Sequence, residues 1–156
     1  MPFLSASPRI VSCLLVALFS CTPGEQPEEA TRRQIDQLYR QALGHIKNRQ
    51  PRAAVGTFEQ LLQRDPAHYE ARLGLGEVYM RLGRFSEALP HLEKARDLNP
   101  GRIEARFQLA RSFLKLQRKK EARELLQSLV AKFPREIYSR LALADLLMTQ
   151  APPNPQ

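Results

Sequence analysis

Apolar residues recur along most of the chain at intervals of three and four residues, with polar residues between them. This spacing places the apolar side chains on one face of an α-helix. Prolines separate successive runs, because proline pushes the residue before it out of the helical region. The pattern predicts helices near residues 29–48, 52–64, 68–82, 85–98, 102–116, 119–132 and 136–149.

The same pattern returns every 34 residues. Prolines, small residues and large apolar residues all keep this interval, at Pro66, Pro100 and Pro134; Ala54, Ala88 and Ala122; Phe58, Leu92 and Leu126; Leu61, Ala95 and Leu129; and Ala42, Gly76, Ala110 and Ala144. The small residues allow helix backbones to approach where they cross, and large apolar residues fill the remaining space. One such unit cannot bury its apolar face alone, so the units are expected to stack.

The period and residue types resemble the tetratricopeptide repeat, a helix–turn–helix unit with the pattern W-x₂-L-G-x₂-Y…A-x₃-F…P. The copy at residues 69–102 fits best, with Leu75, Gly76, Tyr79, Ala88, Leu92 and Pro100. The next copy keeps the pattern. The first copy is degenerate, because Gln41-Ala42 and His45 stand in its Leu-Gly and Tyr positions.

This resemblance implies an all-α fold, a tetratricopeptide-type α-solenoid of three helix–turn–helix repeats with a C-terminal capping helix. A solenoid of this kind needs about three repeats to bury a continuous core, and this chain supplies three. The expected divisions are residues 35–68, 69–102 and 103–136 for the repeats, 137–150 for the capping helix and 151–156 for a disordered tail.

The first twenty residues have the layout of an export signal. Arg9 precedes an apolar run that is shorter than the about 20 residues needed to span a membrane. The run ends Leu18-Phe19-Ser20-Cys21, which resembles the lipobox of bacterial lipoproteins and implies lipid attachment to Cys21. Ordinary cleavage nearby, leaving Cys21 as a plain thiol, is the alternative.

Residues 1–20 are therefore predicted to be a lipoprotein signal peptide, and residues 21–34 a flexible tether with the start of the first helix. A lipid on Cys21 implies an exported protein anchored in the cell envelope and facing the periplasm. The outer membrane is favoured over the inner one.

The chain is basic, with 24 Lys and Arg residues against 16 Asp and Glu residues. Many of the cations fall near the predicted turns between paired helices, which lie on one edge of the stack. We call this set the basic edge; it contains Lys47, Arg49, Arg52, Arg81, Arg84, Lys115, Arg118, Lys119 and Lys120. Cations at helix C-termini complement the helix dipole, but Lys119 and Lys120 begin a helix, where they are unfavourable. The hypothesis is that this edge faces anionic headgroups or an acidic partner.

In solenoids of this family the first helices of successive pairs line a concave groove. The residues expected to point into it are Tyr39, Ile46, Leu73, Glu77, Met80, Phe107, Arg111, Leu114 and Leu141, with Asp145 nearby. An apolar groove with scattered charges suits an extended or helical peptide. Ordinary packing between helices is the alternative role. Tyr39, Leu73 and Phe107 occupy a slot that the Lys/Asn carboxylate clamp of chaperone-binding members needs, so that mechanism is not expected.

Catalytic and metal-binding motifs are not recognisable in the sequence. His45, His68 and His91 lack partners at metal-ligand spacing, and His45 is expected to pack in the core. Gly74 and Gly76 fall inside a predicted helix and do not form a phosphate-binding loop. The expected protein is therefore not an enzyme and needs no cofactor or metal.

The predicted function is a protein–protein interaction scaffold of the cell envelope, possible settings being pilus, secretion or outer-membrane assembly. The sequence does not identify the protein or peptide that it binds. A regulatory subunit of a cell-wall enzyme is one alternative. A nucleic-acid-binding module using the basic edge is another, disfavoured because aromatic residues do not interleave with the cations.

Overall fold

The computed structural model describes residues 27–149, in which seven α-helices and no strands are present. They are α1 (Pro27–Lys47), α2 (Pro51–Arg64), α3 (Tyr69–Arg81), α4 (Phe85–Leu98), α5 (Glu104–Lys115), α6 (Lys119–Lys132) and α7 (Ile137–Met148). Each end lies within two residues of its predicted position. The predicted signal peptide, Cys21 and the predicted tail lie outside the described residues. None of the described helices is long and apolar enough to cross a membrane.

The chain divides into two units, residues 1–34 and residues 35–156. Of the first unit, the structure describes the opening part of α1, where Arg33 and Glu29 form an exposed ion pair at 3.9 Å. The second unit contains the rest of α1 and the six following helices, and everything below concerns that unit.

Proline sets the limits of the second helix of each pair. Pro51 opens α2, where its missing N–H costs nothing because the first helical turn has no partner for it. Asp65, Asn99 and Phe133, each followed by proline, have non-helical backbone angles and end α2, α4 and α6. These predicted helix stops are confirmed.

The turn inside each helix pair is closed by a residue in the left-handed conformation. Gly83 has φ +74°, as expected, and Arg49 and Gln117 adopt φ values of 58° and 59° at the equivalent positions. In each turn the N–H of the left-handed residue and the next N–H bond back to the preceding helix, as in a Schellman motif. The chain therefore reverses direction at the same repeat position in all three helix pairs.

The core runs continuously between the first and second helices. Consecutive helices from α2 to α7 pack against each other, and α3 also contacts α5. The residues of the 34-residue series that are fully buried include Ala42, Ala54, Phe58, Leu61, Ala88, Leu92, Ala95, Ala110, Ala122 and Leu126. Burial of these positions explains why the repeat interval does not slip.

His45 does not lie in the core, and that prediction is wrong. Its equivalents Tyr79 and Phe113 are buried, but the His45 ring is half-buried, with Nδ1 3.1 Å from Oε1 of Gln50. The polar ring is satisfied at the turn, where it can reach a hydrogen-bond partner without complete dehydration.

Helix α7 ends the described stack with an apolar surface on nearly every side. Its exposed large apolar residues are Ile137, Tyr138, Leu141, Leu147 and Met148. Ala144 is also exposed, although its equivalents Ala42, Gly76 and Ala110 are buried. The cause is that no described helix covers the side of α7 that α4 and α6 cover on α3 and α5.

Candidate protein-binding groove

The first helices of the pairs run parallel and in register. Glu77 on α3 and Arg111 on α5, one repeat apart, are bridged by the side chain of Gln108. The Gln108 Nε2 donates to Glu77 Oε1 at 2.9 Å, and Arg111 Nη1 donates to Gln108 Oε1 at 3.0 Å. The two charges are thus linked through one neutral amide that fixes the relative position of α3 and α5.

Equivalent residues of the four first helices therefore form rows across the helices. We call the surface that they make the groove. Its two apolar rows are Tyr39, Leu73, Phe107 and Leu141, and Ile46, Met80, Leu114 and Met148; the row between them is Leu43, Glu77, Arg111 and Asp145. None of these side chains is fully buried, so the rows present partly open apolar surface with charges in the middle.

The groove contains a cleft of about 520 Å³ between α5 and α7. Phe107, Leu114, Tyr138 and Leu141 supply its apolar walls. The Phe107 and Tyr138 rings lie 6.5 Å apart between centroids in a tilted arrangement. Tyr138 and Leu141 remain 69% and 57% exposed, so this cleft is both apolar and open to a ligand.

Two smaller clefts lie between the earlier first helices. The cleft between α3 and α5, of about 390 Å³, is lined by Glu77, Met80, Phe85 and Arg111 among others. The cleft between α1 and α3, of about 230 Å³, includes Ile46 and Val78. Cations of the basic edge border both, namely Arg81 and Lys115 in the larger cleft and Arg49 and Arg81 in the smaller one.

Tyr39 and Leu73 have a different position from the other predicted groove residues. The Tyr39 ring packs 6.3 Å from the Phe58 ring and 5.5 Å from the His68 ring, between centroids. Burial raises the pKa of the Tyr39 hydroxyl, and Glu70 and Glu77 add to the effect. Leu73 is half-buried against the core. Both form part of the groove floor but line none of the three clefts.

The other predicted groove residues all border a cleft; they are Ile46, Glu77, Met80, Phe107, Arg111, Leu114 and Leu141. Sequence reasoning missed Tyr138, Phe85 and Gln108. Tyr138 precedes Leu141 by one turn and shares its face, so helical spacing was a usable signal for it. Gln108 offered no such signal, because its role depends on the distance between α3 and α5.

Two members of the basic edge are engaged within their own repeats. Arg84 pairs with Glu87 and lies 4.9 Å from the Tyr79 ring centroid; Arg118 pairs with Glu121 and lies 4.5 Å from the Phe113 ring centroid. The hydrogen bond with Arg84 lowers the pKa of Glu87, and the bond with Arg118 lowers the pKa of Glu121. The other members are exposed and form no ion pair within residues 27–149; they are Lys47, Arg49, Arg52, Arg81, Lys115, Lys119 and Lys120.

The histidines serve structural roles. His68 accepts a hydrogen bond from the Ala71 N–H at 3.2 Å and so caps α3. His91 stacks on Tyr79 with centroids 5.6 Å apart. Across residues 27–149, no group of three or more His, Cys, Asp or Glu side chains is placed to hold a metal ion.

Comparison with known proteins agrees with this geometry. Tetratricopeptide repeat profiles match residues 39–103 and residues 82–146. No curated protein matches the chain. Among solved structures, the first tetratricopeptide domain of Spaghetti (RPAP3), bound to the HSP90 peptide SRMEEVD, superposes with a TM-score of 0.72 at 18% identity. The match covers 77% of this chain and 95% of that domain.

Two further solved structures show the same likeness. The second such domain of human RPAP3, in complex with the HSP70 peptide SGPTIEEVD, gives a TM-score of 0.70 at 14% identity, covering 75% of this chain and 98% of that one. MamA from Desulfovibrio magneticus RS-1 gives 0.70 at 22% identity, covering 90% of this chain and 81% of that one. At these identities the likeness shows the fold alone.

Proposed function

The chain belongs to the tetratricopeptide repeat family, and from this premise we propose that it is a non-enzymatic scaffold of the bacterial cell envelope. The groove holds a segment of a partner protein, and a lipid on Cys21 keeps the scaffold at the membrane. Repeat domains of this type are protein-interaction modules, and the stacked helices present a large surface to a partner.

The observation that carries the proposal is the open apolar cleft between α5 and α7. Tyr138 and Leu141 are large, apolar and mostly exposed, and they lie beside Phe107 and Leu114 in one concave surface. Apolar residues that are exposed together in a concavity favour a binding site, because their dehydration is left for a ligand to complete. Aromatic side chains such as Tyr138 commonly dominate binding energy at such sites.

The related structures support a peptide or protein segment as the ligand class. The RPAP3 domains bind peptides that end in acidic residues, and they share the fold of this chain. Here the floor positions are Tyr39, Leu73 and Phe107, which offer no cation to a terminal carboxylate. We therefore propose a ligand that is anchored by apolar side chains rather than by its C-terminus.

The N-terminal sequence supports the proposed envelope location. The short apolar run and Leu18-Phe19-Ser20-Cys21 favour export and lipidation, and residues 22–26 form a Pro- and Gly-containing spacer. An acyl anchor contributes about 0.8 kcal/mol per buried CH₂, so two or more chains hold a protein firmly. Within the envelope, a tethered scaffold fits assembly of pili, secretion systems or the outer membrane.

The groove is tested by site-specific photo-crosslinking in the native cell. A photoreactive amino acid replaces Leu141 in the α5–α7 cleft, and in a matched control it replaces the exposed Gln127 on α6. We expect one partner to be crosslinked at position 141 and not at position 127, with the product identified by mass spectrometry. Equal labelling from both positions, or none from position 141, would count against groove binding.

The tether is tested separately by intact-mass measurement of the mature protein. We expect an N-terminal Cys21 carrying acyl chains, and loss of membrane fractionation in Cys21→Ser. Cys13→Ser is the matched control, since Cys13 would leave with the signal peptide. A mature N-terminus elsewhere, or an unmodified thiol, would rule out the lipid anchor while leaving groove binding unaffected.

A further inference from the structure

The groove has two rims of opposite charge, each with one residue from each of the first three first helices. The acidic rim consists of Asp36, Glu70 and Glu104, and the basic rim consists of Lys47, Arg81 and Lys115. The basic-rim residues are the last residues of α1, α3 and α5. Because these helices are parallel and in register, the two rims lie along opposite sides of the groove floor.

The acidic rim is partly compensated within the chain, by one positive charge against its three carboxylates. Arg102 lies between Glu70 and Glu104, with its Nη1 3.1 Å from Glu70 Oε1 and its Nη2 3.4 Å from Glu104 Oε1. The same guanidinium covers the Tyr69 ring at 4.4 Å from the centroid. A ligand therefore still meets negative charge on this side, opposite in sign to the basic rim.

The basic rim has no such compensation. Within residues 27–149, Lys47, Arg81 and Lys115 are exposed and make no ion pair. The helix dipole accounts for the sign of these charges at helix C-termini, but it supplies no counter-charge. Glu77 lies in the same cleft as Arg81 and Lys115 and supplies one negative charge, which leaves the rim positive. The groove is thus apolar on its floor and positive along one side.

We propose that the groove ligand is an amphipathic helix of a partner protein that has carboxylates along one flank of its apolar stripe. The apolar stripe lies on the floor, and the acidic flank faces the basic rim. This inference rests on the proposed groove function and specifies the class of ligand. Both features are needed. Burial of apolar side chains on the floor contributes affinity but does not fix the orientation of the ligand, whereas the charges of the rim fix its orientation but contribute little affinity.

The spacing of the rim favours a helix that lies across α1, α3 and α5. Packed helices are about 8–10 Å apart, so successive rim cations are separated by roughly that distance. Seven residues of α-helix rise by about 10.5 Å. One carboxylate in every heptad therefore meets one cation of each first helix, while residues three and four apart supply the apolar stripe.

The α5–α7 cleft, at the C-terminal end of the groove, sets the position of the ligand. Lys119 borders the α5–α7 cleft beside Leu141 and Tyr138, so positive charge continues past Lys115 at this end. A large apolar side chain of the ligand enters this cleft. The carboxylate nearest that anchor then faces Lys115 and Lys119.

The inference is tested by selection from a displayed library of helical peptides. Each peptide is 18 residues long, has a fixed Leu/Phe stripe at heptad spacing, and carries Glu, Lys, Gln or Ala at random on both flanks. The target is the full chain in its native membrane tether or in detergent. We expect enrichment of Glu on one flank at seven-residue intervals, with Glu depleted on the other flank, which faces the acidic rim.

Charge reversal of the rim identifies the surface that selects these peptides. We expect the enriched peptide to bind about tenfold more weakly to the variant Lys47→Glu/Arg81→Glu/Lys115→Glu. A new selection against this variant should enrich Lys in place of Glu. The neutral variant Lys47→Gln/Arg81→Gln/Lys115→Gln guards against misfolding and should give an intermediate loss. The matched control, Arg64→Glu/Lys94→Glu/Lys132→Glu, makes the same change in net charge on exposed residues of the second helices outside the basic edge and should bind as the parent does.

The outcomes separate this inference from the proposed function. If Leu141→Asp abolishes peptide binding but rim reversal does not, the groove binds ligands and the acidic flank is wrong. If neither substitution affects binding, the groove proposal fails as well. Enrichment of neutral or basic flanks overturns the inference. So does rim-dependent binding to phosphatidylglycerol vesicles that the selected peptides cannot displace, because the rim would then serve a lipid surface.

Discussion

Gly74 of α3 lies directly against the ring of Phe58 of α2, and a Cβ atom at residue 74 would stand 2.7 Å from the Phe58 Cζ. Phe58 is fully buried, so its ring has no room to move away. The residues at the equivalent positions of the next repeat are Leu92, a smaller core residue than Phe58, and Gln108, a larger residue than Gly74. The size of the core side chain and the absence of a side chain at residue 74 are therefore matched.

The first prediction is that Gly74→Ala destabilises the fold by about 1–3 kcal/mol, although alanine favours helix, because the new methyl overlaps a packed ring. Phe58→Leu alone should cost about 1 kcal/mol by leaving a cavity. The double variant should lose less unfolding free energy than the two single variants lose in sum, and the difference, the coupling energy, should be about 0.5–3 kcal/mol. Urea unfolding of the four proteins measures this; strict additivity would show that the two residues do not compete for space.

The second prediction concerns the left-handed turns. Gln117 has φ 59°, a conformation that costs an L-residue about 1–2 kcal/mol, so Gln117→Gly should stabilise the protein by up to about 1 kcal/mol. Gly83→Ala, at the equivalent position with φ +74°, should destabilise it by about 1 kcal/mol. Thermal unfolding of both variants provides the comparison, and changes of the same sign in the two turns would contradict the argument.

The third prediction is a pH dependence from His91. Burial lowers the pKa of His91 below 6.5, and Arg72 adds to this, while Glu59 opposes it. The unfolded chain therefore binds a proton at His91 more readily than the folded chain does. Stability should fall as the pH drops below about 6.5 and level off below the folded-state pKa.

The variant His91→Gln isolates this contribution. Its free energy of unfolding should vary less with pH between pH 7 and pH 5 than that of the parent, as measured by urea unfolding. Carboxylates with lowered pKa values, such as Glu87 and Glu121, lose their contribution at lower pH in both proteins, so they cancel in the comparison. Identical pH profiles for the two proteins would refute a role for His91.

The fourth prediction concerns the start of α7, the helix that forms one wall of the α5–α7 cleft. The Glu136 carboxylate accepts hydrogen bonds from the backbone N–H groups of Tyr138, at 2.9 Å, and of Ser139. Glu136→Ala should cost about 0.5–2 kcal/mol and speed hydrogen exchange at the start of α7. Glu136→Gln keeps the acceptor oxygen and should lose less; equal exchange rates in parent and alanine variant would exclude a capping role.

The helix ends could be predicted from the sequence because proline recurs at a fixed repeat position and glycine stands at one of the turns. Pro66, Pro100 and Gly83 act through their own backbone geometry, so helix ends could be assigned from the sequence. The His45 prediction failed because helical spacing reports which face a residue occupies, but not whether a nearby Gln50 satisfies its ring at the surface.

The sequence by itself determined the number, ends and order of the described helices, because those depend on spacing and on local backbone preference. Seven of the nine residues predicted for the groove also border a cleft. Only the tertiary structure decided that Gln108 joins Glu77 to Arg111, that Arg84 and Arg118 are engaged while Arg81 and Lys115 are not, and that α7 leaves its apolar side uncovered. The reason is that contacts between helices depend on how closely their backbones approach, and that distance is set by the packing of side chains from several repeats at once.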